Sequence, residues 1–439
     1  MAVIVESAAG AQPLRRLQPV RRLVTWTVAI AGYAAGAATA WTRSALGRLW
    51  PARRRVAEPV AGRRLPAMLV RLGPTFVKGG QLLSTRRDVL PDAWCDALGR
   101  LHDRVGPMSR EDTERAFAAA YPTAESWPFR KVEWRPAASG SIACVYRAWL
   151  HDGRPVAVKL RRPGVLAQMR ADFTLLAAGA GALQRVPALR RVPMRRMVEQ
   201  IAGAVMAQAD LAHEATSLDE LRRNLADLGY IHIPAPLPEF SGDGVLVMEY
   251  VEGLRRFRPG DLTREQRREV VRRILQGVYR MLFLDGLVHC DMHPGNLYLT
   301  RTSDVVLLDA GFVVRLSPAV KRLFAEFFLN MSLGRGAQCA EVVMRSAEHV
   351  PEGCDVEGFR KGIAELVEQN HRRTAGQFRL APFAARLFDL QRRSGISAAP
   401  EFVFPLVSLL VLEGMINDFD VDVDFQGEAI PTLLTALRN

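Results

Sequence analysis

The sequence predicts an α+β fold of two lobes with a ligand cleft between them and a helical extension in front. Three observations carry that expectation. Two short β-like runs, Pro136–Tyr146 and Val156-Ala-Val-Lys159, are joined by the turn His151-Asp-Gly-Arg-Pro155. Much later, GLVHCDMHPGNLYLT precedes the apolar run Val305–Leu308, which reads as a strand entering Asp309-Ala310-Gly311. Finally, 439 residues with 49% hydrophobic and 24% charged content suffice for one large two-lobed unit with additions. That balance excludes a disordered chain and a polytopic membrane protein, and the Gly and Pro content excludes a low-complexity one.

The chain opens with a basic arm, residues 1–64. It holds eleven Arg, no Lys and two acids, so it carries +9 of the net charge of +13. The remainder is unexceptional in charge, and no nucleic-acid module is recognisable, so nucleic acid is not expected as a partner. Between Arg22 and Arg43 the residues from Leu23 to Thr42 carry no charge. Twenty residues at a rise of about 1.5 Å just cross a bilayer core. Gly32 and Gly36 stand four apart, and Trp26 and Trp41 lie near the ends. The segment is a candidate membrane helix that spans the bilayer or lies in its interface. Arg is denser after it than before it, which places the body on the cytoplasmic side, at the inner face of the plasma membrane. Five scattered cysteines without a CxxC pair fit free thiols in a reducing compartment rather than a zinc site or disulfide frame.

In the first lobe, residues 131–250, Ala138, Ser139, Gly140, Ser141, Ile142, Ala143 and Val145 fall on a glycine-rich nucleotide loop, although only the middle glycine is kept. Small side chains there still let the backbone approach phosphates. Lys159, on the strand that follows, is placed to bind α- and β-phosphates. Its acidic partner is expected to be Glu214, on a helix predicted from about Arg195 to Leu228, with Asp210 one turn earlier on the same face. Val245–Tyr250 reads as a strand leading into a hinge, with Glu249, Tyr250 and Val251 offering backbone contacts to adenine.

The second lobe, residues 251–439, supplies the chemistry. His289, Asp291 and Asn296 form H-x-D-x-x-x-x-N, and a strand then delivers Asp309. A catalytic Asp, a metal-holding Asn and a second metal-holding Asp in that order belong to the protein-kinase-like fold. ATP arrives with Mg²⁺, a hard ion that takes oxygen ligands. The Asn296 amide oxygen and the Asp309 carboxylate supply them, while Asp291 faces the acceptor. The apolar stretch Phe402–Leu412, interrupted by Pro405, is too short to span a membrane and reads as a core helix.

Beyond these parts stands LGPTFVKGGQLLSTRRDVLP, residues 72–91. With it the sequence resembles the UbiB/AarF/ADCK family of atypical kinase-like proteins over roughly residues 64–430. Lys78 and Gln81 match the family's KxGQ signature, and the resemblance implies that residues 65–130 form a helical extension packed over the active site. It also implies that Lys159 is the nucleotide lysine, Glu214 its ion-pair partner, and Asp291, Asn296 and Asp309 the catalytic and metal positions. Implied activities are ATP binding and slow ATP hydrolysis, tied to ubiquinone or other isoprenoid-lipid metabolism at a membrane, with an anionic lipid or quinone precursor as partner. Three positions depart from the family pattern. An E-x-D element falls on Gln208-Ala209-Asp210, the usual DFG is Asp-Ala-Gly, and Cys144 stands where Gln is frequent. A small-molecule phosphotransferase and a nucleotide-binding pseudokinase scaffold remain open as alternatives.

Overall fold

Strand parity sorts the first sheet into two faces. In β4 (Pro155–Arg161) Val156, Val158 and Leu160 are buried on one side, so Ala157, Lys159 and Arg161 point to the other. In β3 (Ala143–Leu150) Cys144, Tyr146, Ala148 and Leu150 share the first face. Against it packs helix α3 (Arg110–Ala120), whose Phe117 ring touches Trp127, Phe129, Trp134 and Tyr146 at centroid distances of 5.4–6.0 Å. The Thr113 and Tyr146 hydroxyls, both buried, close that contact at 2.8 Å. The sheet runs β1 (Phe129–Val132), β3, β4, β6 (Val245–Glu249), with β2 (Ala138–Ser139) paired to β3, antiparallel throughout.

The computed structural model describes residues 21–29, 31–33, 61–84, 106–185, 194–256, 258–292, 295–371, 380–398 and 423–438, together with single positions between 94 and 101 and between 405 and 419. Ahead of the sheet lie α1 (Ala61–Leu72) and α2 (Pro74–Ser84). After β4 come α4 (Val165–Leu183), α5 (Met194–Ala207) and α6 (Leu211–Asn224).

The single long helix expected over 195–228 is therefore two. They part at Gln208-Ala209-Asp210, where Asp210 turns out of helical geometry and its carboxylate accepts from the N–H groups of Ala212 (3.1 Å) and His213 (3.0 Å). A carboxylate that satisfies orphan donors at a helix start is a strong N-cap, and it overrides the continuous apolar period. Asp210 thus heads the helix that carries Glu214 instead of sharing its side face.

The second lobe begins with the small strand β5 (Ile231–His232) and continues through β7 (Arg255–Arg256) to α7 (Arg264–Tyr279), which opens on a capping box between Thr263 and Gln266. The helix runs into a π-helical turn, Arg280–Asp285, then β8 (Leu287–His289). Next come β9 (Leu297–Leu299), β10 (Val305–Leu307) and β11 (Val313–Arg315). Helices α8 (Pro318–Ser332), α9 (Gly336–Arg345), α10 (Val356–His371), α11 (Leu380–Ser394) and α12 (Ile430–Arg438) complete the lobe. Within the stretch expected as a core helix, Leu406, Leu409 and Leu412 are buried.

The arm is not separate from the body. Residues 21–29 are helical, and Arg22, Trp26 and Ala29, spaced i, i+4, i+7, turn inward, whereas Leu23, Val24 and Val28 face outward. Arg22 grips the fully buried Asp172 of α4 through Nε (2.6 Å) and Nη2 (2.9 Å), and also donates to the Leu72 carbonyl. Trp26 Nε1 (3.2 Å) and Thr75 Oγ1 (2.7 Å) donate to the same carboxylate. The Trp26 ring also meets Phe76 edge-on at 5.1 Å. One carboxylate thus pins the arm, α2 and α4 together. Residues 30 and 34–42 of the candidate membrane segment lie outside the described residues, among which no helix is long and apolar enough to cross a membrane.

Removing one partner of a buried ion pair leaves an uncompensated charge and typically costs about 3–5 kcal/mol. Arg22→Met should lower the urea unfolding free energy by about that amount, and adding Asp172→Asn should recover part of it, because the amide removes the unpaired charge while its oxygen still accepts a hydrogen bond. A single variant as stable as the parent would show that the pair does not hold the arm.

Candidate active site

Lys159 reaches the cleft because β4 alternates, and β3 sets its neighbour: Val145 lies directly across the ladder, on the same face. From α6 the buried Glu214 extends to it, with Lys159 Nζ at 2.6 and 2.8 Å from the two carboxylate oxygens. The same Nζ donates to Asp309 Oδ2 at 2.6 Å. The ion pair expected from the sequence is therefore formed, and Asp309 joins it.

The hairpin of β9 and β10 explains where Asp309 comes from. Leu307 pairs with Leu297 and the Leu308 N–H donates to the Asn296 carbonyl at 3.2 Å, so Asn296 and Asp309 emerge at one end of one hairpin. Asn296 Nδ2 donates to the Asp291 carbonyl at 3.0 Å, which leaves the amide oxygen as its ligating atom. Asp309 Oδ1 accepts from the Gly311 N–H at 2.8 Å. The oxygens of Asn296 and Asp309 are the hard donors Mg²⁺ takes, so the residues present fit that ion.

Charge is balanced tightly here. Burial alone would favour neutral Lys159, but the Asp309 and Glu214 carboxylates outweigh it and hold the ammonium above its ordinary range. Burial lifts the Glu214 carboxyl and the Asp309 charge adds to the lift, opposed by Lys159 and the Ala310 N–H. For Asp309, burial acts upward, yet Lys159 and then Lys78 hold the carboxyl well below the usual carboxylate range. Lys78 of α2 is thus within electrostatic reach of the metal-position carboxylate.

The remaining KxGQ residues divide their tasks. Gln81 Nε2 donates to the Leu101 carbonyl at 3.4 Å and ties α2 to the next segment. Gly80 has no room for a side chain, since a Cβ there would meet Leu101 Cδ1 at 2.5 Å. The Gln208 amide donates to Ala204 O at 3.4 Å, within its own helix. Its backbone carbonyl lies 3.7 Å from where a Gly311 Cβ would stand, with Asp309 Oδ1 at 3.2 Å and Glu214 Oε2 at 3.7 Å. The Gln-Ala-Asp break therefore abuts the Asp-Ala-Gly segment.

Sequence reasoning missed two straps. Buried His289 accepts from the Asp291 N–H at Nδ1 (3.1 Å), so its Nε2 carries the proton and donates to the Asp309 carbonyl at 2.6 Å. It fastens the loop at Asp291 to the segment at Asp309. Arg162 donates to the Gly140 carbonyl (Nε, 3.0 Å) and to Ser139 Oγ and the Gly106 carbonyl (Nη2, 3.0 and 2.6 Å). It braces the nucleotide loop, in which Gly140 N–H also bonds Ala143 O at 2.9 Å, Ser141 and Ile142 are buried and Ala138 is exposed. The H-x-D spacing hinted at the first strap; nothing in the sequence pointed to the second. At the hinge the Glu249 N–H is committed to Ala235 O at 2.8 Å, and the Tyr250 ring lies 4.5 Å from the Arg147 guanidinium. His293 and Pro294 of the catalytic loop lie outside the described residues.

His289→Phe keeps a ring of similar size but abandons a buried N–H and a buried carbonyl, each costing about 1–3 kcal/mol. It should lower stability measurably in urea. An unchanged midpoint would mean that the His289 strap carries no load.

The ABC1 atypical kinase-like domain matches residues 100–343. Over 388 residues the chain is 31% identical to a probable protein kinase UbiB of Marinobacter nauticus, covering 86% of this chain and 70% of that protein. Among solved structures, the Rv3197–erythromycin complex of Mycobacterium tuberculosis superposes with a TM-score of 0.57 at 18% identity, over 80% of this chain and 89% of that one. That likeness concerns the fold. Domain match and sequence identity together establish that the chain belongs to the UbiB family of ABC1 atypical kinase-like proteins.

Proposed function

We propose that the cleft binds Mg-ATP and transfers its γ-phosphoryl group to water or to a small or lipid-linked acceptor. One observation carries this reading: a single lysine ammonium held between Glu214 and Asp309, with Asn296 at the same hairpin end. Lys159 can neutralise α- and β-phosphate charge because Glu214 fixes its position. Asn296 and Asp309 would hold the magnesium ion, which when bound neutralises charge on the transferring phosphoryl group. Asp291 orients the acceptor hydroxyl and takes its proton as the new P–O bond forms and the bond to the β-phosphate oxygen breaks. His289 keeps Asp291 and Asp309 in register. Adenine contacts fall to the backbone of Glu249, Tyr250 and Val251, except the Glu249 N–H, which is already bonded to Ala235 O. Catalysis on this reading is positioning and charge neutralisation.

The family likeness supports a role in quinone or other isoprenoid-lipid metabolism. The arm supports a site of action at an anionic membrane surface on the cytoplasmic side, because Arg21 flanks the outward Leu23, Val24 and Val28. Leu23→Asp with Val28→Asp should then abolish co-sedimentation with phosphatidylglycerol vesicles; sedimentation equal to the parent's would refute the membrane role of this face.

Phosphate release from ATP tests the chemistry. Asp309→Asn keeps the Gly311 contact yet loses the charge, and should reduce turnover on the order of 100-fold or more. Asp291→Ala should cost a similar factor while nucleotide-induced thermal stabilisation persists. Full turnover in either variant rejects its assigned role. Stabilisation by Mg-ATP without any phosphate release in the parent protein identifies a nucleotide-controlled scaffold instead.

A further inference from the structure

On the second lobe the π-helical turn Arg280–Asp285, the first turns of α8 and the end of α12 enclose a cavity of about 820 Å³. That volume suits a small organic ligand. Among the described residues its wall carries four cations, Arg280, Lys321, Arg322 and Arg438, and no acidic side chain, while Phe283 and Leu437 add apolar surface. Three of these cations have protein partners. Arg280 pairs with Asp227 (2.7 Å) and Asp285 (3.1 Å), Lys321 Nζ donates to the Leu284 carbonyl (2.7 Å), and Arg322 meets Glu326 at 3.4 Å. These acids fix the positions of the basic groups but stand outside the wall. A concave site with cations beside apolar surface matches an anion with a hydrocarbon body.

Two further features favour a site over an incidental dent. A π turn is rare and is frequently found at functional sites, and here it forms one wall. On α12, Leu434 is 46% exposed one turn before Leu437, which extends the apolar surface beyond the cavity. None of the residues involved belongs to the phosphoryl-transfer cleft, so this site stands or falls independently of that reading.

We propose that this cavity binds an amphiphilic anion, a hydrocarbon chain ending in a phosphate or carboxylate. The head is seated against Lys321, Arg322 and Arg438, and the chain runs over Phe283 and Leu437. Calorimetric titration of the full chain with decyl phosphate below its micelle concentration tests it, beside inorganic phosphate and decanol. Decyl phosphate should bind at least ten-fold tighter than either half-ligand. Arg322→Glu with Arg438→Glu should weaken it ten-fold or more while Mg-ATP stabilisation stays as in the parent. Ala319→Trp, which fills the cavity from an exposed wall position, should also weaken it. Unaltered affinity in both variants, or no preference over phosphate and decanol, overturns the proposal. A response to phosphatidylglycerol vesicles with none to monomeric decyl phosphate also overturns it, since it would assign these cations to a flat membrane contact.

Discussion

Everything in the cleft turns on one ammonium shared by two carboxylates. Lys159 comes from a strand, Glu214 from a helix of the same lobe, and Asp309 from a hairpin of the other, so the contact is also the joint between lobes. None of the three is stable alone. A buried Glu214 without the cation would take up a proton, and Lys159 without the anions would lose one. Their mutual neutralisation lets strongly charged groups occupy an interior where each singly would be expelled. In the proposed nucleotide complex, phosphates would replace Asp309 as partner of Lys159 and a cation would replace Lys159 as partner of Asp309, so that no charge is left unpaired.

The parts of this arrangement with local signatures were legible in the sequence. The alternation Val156-Ala-Val-Lys159 forces the lysine to the cleft, and the strand before Asp309 brings it back to Asn296. What escaped was whatever depends on partners distant in sequence. Helical periodicity ran unbroken through Gln208–Asp210, yet a side-chain cap stopped the helix there, because an Asp that satisfies two backbone donors outcompetes one more turn. Arg162 looks like any basic residue after a strand; only the folded loop shows that it holds the Gly140 and Gly106 carbonyls. Likewise Trp26 suits a membrane interface by composition, but Asp172, 146 residues away, claims its indole N–H.

The KxGQ helix shows how a short motif divides labour. Gly80 permits close approach to Leu101, Gln81 secures that approach through a backbone carbonyl, and Lys78 alone projects charge towards Asp309. A positive charge in that place would compete with the proposed cation for the same carboxylate. The extension therefore belongs to the electrostatics of the cleft as well as to its covering.

The rivet at Asp172 has a consequence during synthesis. Arg22 leaves the ribosome 150 residues before the carboxylate it must meet, an interval of roughly 8–30 s at ordinary elongation rates. Throughout that wait the inward side of this helix can meet only Leu72 and Phe76 of its final partners. The anchoring of the arm is therefore a late event, completed only once the chain that carries Asp172 has been made.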